Sequence, residues 1–319
     1  MARYVIRRVL WGCAMLVIVC LITFIMFRVI PTGNPALLRA GRDPQPKLIK
    51  EIEATLGLNK SLPAQFWEYL KGIVVHQDFG YSYYSQESVT ALIKERLPAT
   101  ISLMIGAAVL WMAAGVSIGI ISALKRHTAT DRAAMGGALV LVSAPEFWLG
   151  LIVLFLFASD IGKFKIFPGA GSYTGITSDP TKWFTSLLLP WFVLAAGSAA
   201  VFARLIRGNL LEVLDEDYIR TARAKGLPER QVIRQAVRAS INPVVTLMGL
   251  EMGILLGGAV LVERVFNIPG VGNLAYTSII NADFSVIEGV VLMAAMFIIV
   301  ANIVVDILYA YLDPRVRYS

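Results

Sequence analysis

Apolar runs close to the ~20 residues that an α-helix needs to cross a hydrocarbon core recur along this chain. They are Val9–Phe27, Thr100–Leu124, Met135–Ala158, Trp183–Leu205, Val244–Val262 and Ile287–Leu312. The pattern predicts an all-α polytopic membrane protein with six transmembrane helices. Between the first two runs lies a long segment of mixed polarity, Pro31–Pro98. Leu48, Ile49, Ile52 and Leu56 fit one helical face that ends at Gly57. Phe66, Trp67, Leu70, Ile73 and Val74 fit a second, and Val89–Leu97 a third that Pro98 stops. The aromatic stretch from Asp78 to Ser85 reads as a turn. The expected organisation is therefore residues 1–30 as N-terminus and first span, 31–99 as a small external helical subdomain, and 100–319 as a five-helix core with a polar loop at 207–243.

Composition agrees with this picture. The chain is 57% hydrophobic and 16% charged, far from the balance of a soluble domain. Its net charge of +7 calls for no nucleic acid, because basic residues gather on the cytoplasmic side of membrane proteins. Arg3, Arg7 and Arg8 precede the first span. Lys125, Arg126 and Arg132 flank the second loop, Arg204, Arg207 and the Arg220–Arg238 series mark the fourth, and Arg315 and Arg317 end the chain. This bias puts both termini in the cytoplasm, and six spans satisfy that parity. The first apolar run is too long, and lacks the small-x-small site, for a cleaved signal peptide. Cys13 and Cys20 share that run, so no disulfide framework is implied. His76 and His127 fall on opposite sides of the predicted membrane and make a poor metal pair.

The longest polar run after the first third is Asp215–Pro243, DEDYIRTARAKGLPERQVIRQAVRASINP. Acids at its start and basic residues towards Lys225 suit a helix macrodipole. Asp217 is placed to cap that helix, Gly226 to end it in a left-handed conformation, and Pro228 to open a second helix in its first turn. Thr221, Ala222 and Ala224 are small enough for another surface to approach closely. Arg230, Arg234 and Arg238 recur on the second helix, facing water or lipid phosphates.

This run, with DYIRTARAKGL followed by Pro243-Val244-Val245, resembles the cytoplasmic coupling loop of ABC-importer permeases, in the dipeptide, oligopeptide and nickel branch. The name-giving Glu-Ala-Ala of that loop falls on Arg220-Thr221-Ala222, so only the second Ala and Gly226 are kept, a departure usual in the peptide branch. LGLNKSLPAQFWEYLKG with the following DFGYS, Val265–Gly272, and the C-terminal ILYAYLDPRVRYS are similar to the same branch. The resemblance covers nearly the whole chain. It implies a bacterial or archaeal inner-membrane permease for peptides that forms half of a translocation path. It implies as partners a second homologous permease, two ATPases, an external substrate-binding protein and membrane lipid. Tyr218, Arg220, Thr221, Ala222, Arg223, Ala224, Lys225 and Gly226 are the residues it implies for ATPase coupling. It also turns the first loop towards the binding protein, with Tyr81, Tyr83 and Tyr84 as docking candidates; a passive cap is the alternative.

No phosphate-binding GxxxxGK[ST], zinc-peptidase HExxH or esterase GxSxG occurs in the chain. An enzyme is not expected. No cofactor is expected on this chain, and ATP and Mg would belong to partner subunits. The Gly-rich FPGAGSYTG lacks the lysine of a phosphate loop and reads as an external turn. Glu146 and Glu251 lie inside predicted spans, where an acid is costly and commonly faces a cavity; Asp306 lies near the end of the last. Both glutamates are candidates for the path, the alternative being a hydrogen bond to a neighbouring helix. Gly249, Gly253 and Gly257 form a stripe suited to close helix packing. A secondary transporter working without an ATPase is the rival class, but no convincing internal repeat is visible. Nickel chelates and glutathione remain open as cargo beside peptides.

Overall fold

The computed structural model describes the backbone of residues 2–29, 34, 36–37 and 45–312. The C-terminal motif from Asp313, the side chain of Asp306 and part of the first polar loop lie outside the described residues. The chain divides into two compact units: Met1–Thr100 with Pro269–Ile303, and Ile101–Ile268 with the segment from Val304. The division is not sequential, since residues 269–303 return to the first unit. Among the described residues, four helices are long and apolar enough to cross a membrane, or five if one bent pair counts as a span. The segment expected as the fifth span is a 24-residue helix, Asn242–Val265.

In the first unit, helix Ala2–Phe24 continues through a wider turn, Ile25–Val29. Helix Pro46–Leu56 ends at Gly57 as expected: its φ of 62° is left-handed, and the Gly57 and Leu58 N–H groups close on Ala54 and Glu53 carbonyls. Helix Leu62–His76 follows. Its expected apolar face is split in two. Phe66, Leu70 and Ile73 turn inward with Tyr69, whereas Trp67 and Val74, about a quarter turn round the helix, are exposed. The stretch after Asp78 holds a two-residue antiparallel pair, Tyr81–Ser82 with Glu87–Ser88. The Ser82 hydroxyl donates to the Asp283 carboxylate, pinning this hairpin to the turn before helix Phe284–Leu312.

Pro98 does not stop the next helix, which runs unbroken over Val89–Leu124. Proline removes one backbone donor, but Val89, Leu92 and Ile93 are held in a buried cluster with Val271, Leu274, Val286 and Val290. That burial outweighs one missing bond.

In the second unit, the expected span Met135–Ala158 is two helices, Ala129–Ser143 and Glu146–Phe157, bent by 109°. Pro145 is the cause. It cannot continue the ladder, and its ring forces Ala144 out of helical geometry, to φ −83° and ψ 123°. The break leaves few loose ends, because the Ala144 N–H reaches Val140 and the Pro145 carbonyl accepts from Leu149. Both halves pack on the 35-residue helix Pro180–Leu214. The Gly-rich turn is tied down by the Gly171 N–H donating to the Phe266 carbonyl at 2.8 Å.

Candidate functional site

Helix Pro180–Leu214 hands the chain to a helix of eight residues, Asp217–Ala224. Eight residues are too few to be helical alone. Tertiary packing holds them: Ile219 is fully buried and Ala222 is 9% exposed, in a cluster with Ala123, Leu210, Val232 and Ala236. Burying Ile219 alone contributes about 1.5–3 kcal/mol. The N-cap is Glu216 rather than Asp217, which occupies the first helical position and sits 3.4 Å from Arg220. Gly226 ends the helix at φ 78°, its N–H closing on Arg223 and that of Leu227 on Ala222. This is the six-to-one and five-to-two closure that a left-handed residue permits. Pro228 caps the second helix, Glu229–Ser240, from just outside it.

The corner is stiffened by Arg223, which holds Glu229 in an ion pair at 2.9 Å and keeps its carboxyl below the usual carboxylate range. The pair is intact above that range and is lost as pH falls through the lowered value. On the second helix Val232, Ala236 and Ser240 turn inward, so Arg230, Arg234 and Arg238 are left on the open face.

These contacts correct one expectation. Ala222 was grouped with the residues open to another protein, but it faces its own chain. Helical spacing decides this: Ile219 and Ala222 share the inner face, and Tyr218, Thr221, Ala224 and Lys225 are exposed.

Close to this cluster lies a polar clamp that sequence reasoning missed. Asp131 is 4% exposed, yet accepts four hydrogen bonds. Arg207 donates twice, from Nε at 2.7 Å and from Nη2 at 2.8 Å, in the bidentate geometry that suits a guanidinium. The His127 N–H donates at 3.0 Å, and the Ser122 hydroxyl donates as well. Three helices are thereby joined: Ser122 is at the end of one, Asp131 in the first turn of the next, and Arg207 one turn before Leu210. Thr128-Ala129-Thr130-Asp131 has the spacing of a helix start, and Thr128 does cap that helix. That signal could have singled out Asp131. Nothing local points to Arg207, 76 residues away.

Glu146 and Glu251 lie on separate helices of the second unit. Glu146 sits in the first turn of its helix, where the macrodipole favours an acid. Its carboxylate lies over Gly258, filling the space a Cβ there would take. Glu251 accepts from the Ser198 hydroxyl on helix Pro180–Leu214 and lies two turns before Gly258 on the same side of its own helix. The glycine stripe is used differently from expectation. A Cβ on Gly253 or Gly257 would meet no described atom within 4 Å, and the close approach falls on Gly258 instead. In the first unit, the Tyr81 and Tyr83 rings meet edge to face at 5.1 Å, and Tyr81 and Tyr84 are exposed.

Two family models account for almost the entire chain. Residues 115–318 match the binding-protein-dependent transport system inner membrane component, and residues 1–104 match the N-terminal part of that component. A putative peptide transport system permease protein of Brucella abortus (strain 2308) is 36% identical over the full length of both chains. The glutathione transport system permease proteins of Pectobacterium atrosepticum and Salmonella choleraesuis are 39% and 38% identical, again over the full length of both. With apolar helices of spanning length and matches of this extent, the chain is a multi-pass membrane protein and belongs to the binding-protein-dependent transport system inner membrane components, the permeases of ABC importers.

Proposed function

We propose that this chain is one permease of an ATP-driven importer for peptides, glutathione included, and provides half of the translocation path. The observation that carries the reading is the Asp217–Ala224 helix. It is clamped to its own chain through Ile219 and Ala222 and leaves Tyr218, Thr221, Ala224 and Lys225 outward. A short helix so fixed, with a rigid Gly-Leu-Pro corner behind it, transmits a push without absorbing it. In this reading it docks on a separate ATPase that carries ATP and Mg, both termini are cytoplasmic, and a second permease completes the path. The names of the full-length relatives support peptide or glutathione cargo. Co-purification tests the assembly: two ATPase chains, a second permease and stimulation by a loaded binding protein are expected. A chain that transports in vesicles by itself would overturn it.

Glu251 and Glu146 are proposed to line the path. A peptide ammonium loses part of its hydration in a narrow passage, and a carboxylate at mid-depth offsets that loss because charge interactions strengthen in low dielectric. Glu251→Gln keeps the hydrogen bond to Ser198 and removes the charge. Uptake of cargo with a free amino terminus is expected to slow more than uptake of N-acetylated cargo. Equal slowing of both would make Glu251 a structural hydrogen-bond acceptor only.

Tyr81, Tyr83 and Tyr84 are proposed to meet the substrate-binding protein. Replacing the exposed pair, Tyr81 and Tyr84, by Ser is expected to weaken stimulation of ATP hydrolysis by the loaded binding protein and to spare basal hydrolysis. Stimulation of unchanged size and half-point would reduce the hairpin to a cap.

A further inference from the structure

We infer that helix Leu62–His76 is not an external element but dips into the bilayer, with its free face in the acyl chains of the leaflet at the Phe27 end of the first span. The depth can be read from two spans that pack antiparallel within the first unit. The apolar run of the first span, Val9–Phe27, is bounded by Arg8 and Arg28 and is ~28 Å long, close to the thickness of the hydrocarbon core. The last begins at Phe284. A Cβ at Gly12 would lie 2.8 Å from Ile303 and 3.1 Å from Ile299, and Cys20 is buried with Leu292. These contacts keep one register, which brings Phe27 level with the start of the last span.

Helix Leu62–His76 runs down this pair. Near its start, the Phe66 and Tyr69 rings lie 5.5 and 5.8 Å from that of Phe24, ~4–5 Å inside the Phe27 end. Further along, Ile73 is buried with Cys20 and Leu292. Cys20 is ~10 Å inside the Phe27 end, and Leu292 ~12 Å inside the Phe284 end. The two depths agree, although they are measured along different helices.

The free face fits a hydrocarbon solvent. Trp67, Val74 and Val75 are 65%, 64% and 62% exposed, and Met15, Ile18, Ile22 and Met26 of the first span are exposed as well; the charged Glu68 of the free face lies in its shallower half, paired with Lys60. Trp67 is at the interfacial level where tryptophan is enriched, and Lys71 is one turn deeper, within reach of the headgroups. The N–H groups from Gln77 to Gly80, in the turn at the inner end, all find partners, as a lipid environment demands. The Gln77 and Asp78 N–H groups donate to Gly72, that of Phe79 to the Thr90 hydroxyl and that of Gly80 to the Asp78 carboxylate. The Gln77 carbonyl accepts from Thr90, and the Gly80 carbonyl from Val89.

The test uses the full chain in vesicles with Cys13→Ser and Cys20→Ala and a nitroxide on Val74→Cys, Trp67→Cys or Glu51→Cys. Collision with oxygen, which concentrates in lipid, is compared with collision with a water-soluble nickel chelate. At Val74 oxygen is expected to exceed nickel several-fold, with Trp67 intermediate and Glu51, exposed on helix Pro46–Leu56, reversed. Nickel dominating at Val74 would place the face in water. An immobilised label shielded from both, or one shielded only when the binding protein is added, would place it under protein. Each of these results overturns the inference. Val74→Asp in the chain with its own cysteines is an independent check. Loss of assembled protein is expected from a lipid-facing site, and unchanged levels would count against it.

Discussion

Arg207→Met is expected to cost about 3–5 kcal/mol of stability, because it leaves the Asp131 carboxylate buried without its counter-ion. Two strong hydrogen bonds vanish at once, and the remaining donors, the Ser122 hydroxyl and the His127 N–H, are both neutral. The loss should be seen as a fall in the unfolding midpoint of the purified chain in detergent. Adding Asp131→Asn should recover much of it. Asparagine is neutral at that site: its carbonyl oxygen can still accept from the His127 N–H, and its amide nitrogen then faces the Ser122 hydroxyl, which can turn to accept. Arg207→Lys should fall between, since it keeps the charge but loses the two-pronged geometry. If the double variant is as unstable as Arg207→Met alone, charge compensation is not what Arg207 provides.

Ala222→Trp and Ala224→Trp are expected to fail in different ways. Ala222 packs against Leu210, Val232 and Ala236, where no indole fits without displacing its neighbours. Overpacking of that kind costs about 1–3 kcal/mol or more, so the amount of protein assembled in the membrane should drop. Ala224 is exposed. A tryptophan there should leave the protein level unchanged and, on the proposed coupling role, abolish uptake by blocking the ATPase. Measuring membrane levels and uptake for both variants separates packing from docking. Full uptake and normal ATPase association with Ala224→Trp would sink the docking face. Unchanged protein level with Ala222→Trp would contradict its place in the core.

Several of these positions were open to sequence reasoning because the cause is local. Gly226 ends its helix because a left-handed residue is needed beside Lys225, and Gly57 does the same for Pro46–Leu56. Pro145 stands beside Glu146 in the sequence, but a proline before an acid does not say whether a helix bends slightly or breaks. The 109° angle depends on where Glu146–Phe157 finds its partners on Pro180–Leu214 and Asn242–Val265. Pro98 is the reverse case, a breaker that tertiary burial overrides.

By itself the sequence determined the membrane class, the helical architecture, the polar loop that contains Asp217–Ala224 and the resemblance that family matching bore out. Apolar run length, glycine and proline placement and short motifs are properties of neighbouring residues, and such properties survive without a fold. Tertiary structure alone decided which side of each helix is free. Trp67 and Phe66 are adjacent and equally apolar, yet Phe66 packs near Phe24 and Trp67 is open. Ala222 and Ala224 are chemically identical, but one is core and the other surface. Asp131 and Arg207 are ordinary loop-end charges until three helices bring them within 2.7 Å. A helix's periodicity defines its faces, but what each face meets depends on partners distant in the chain, which no local pattern encodes.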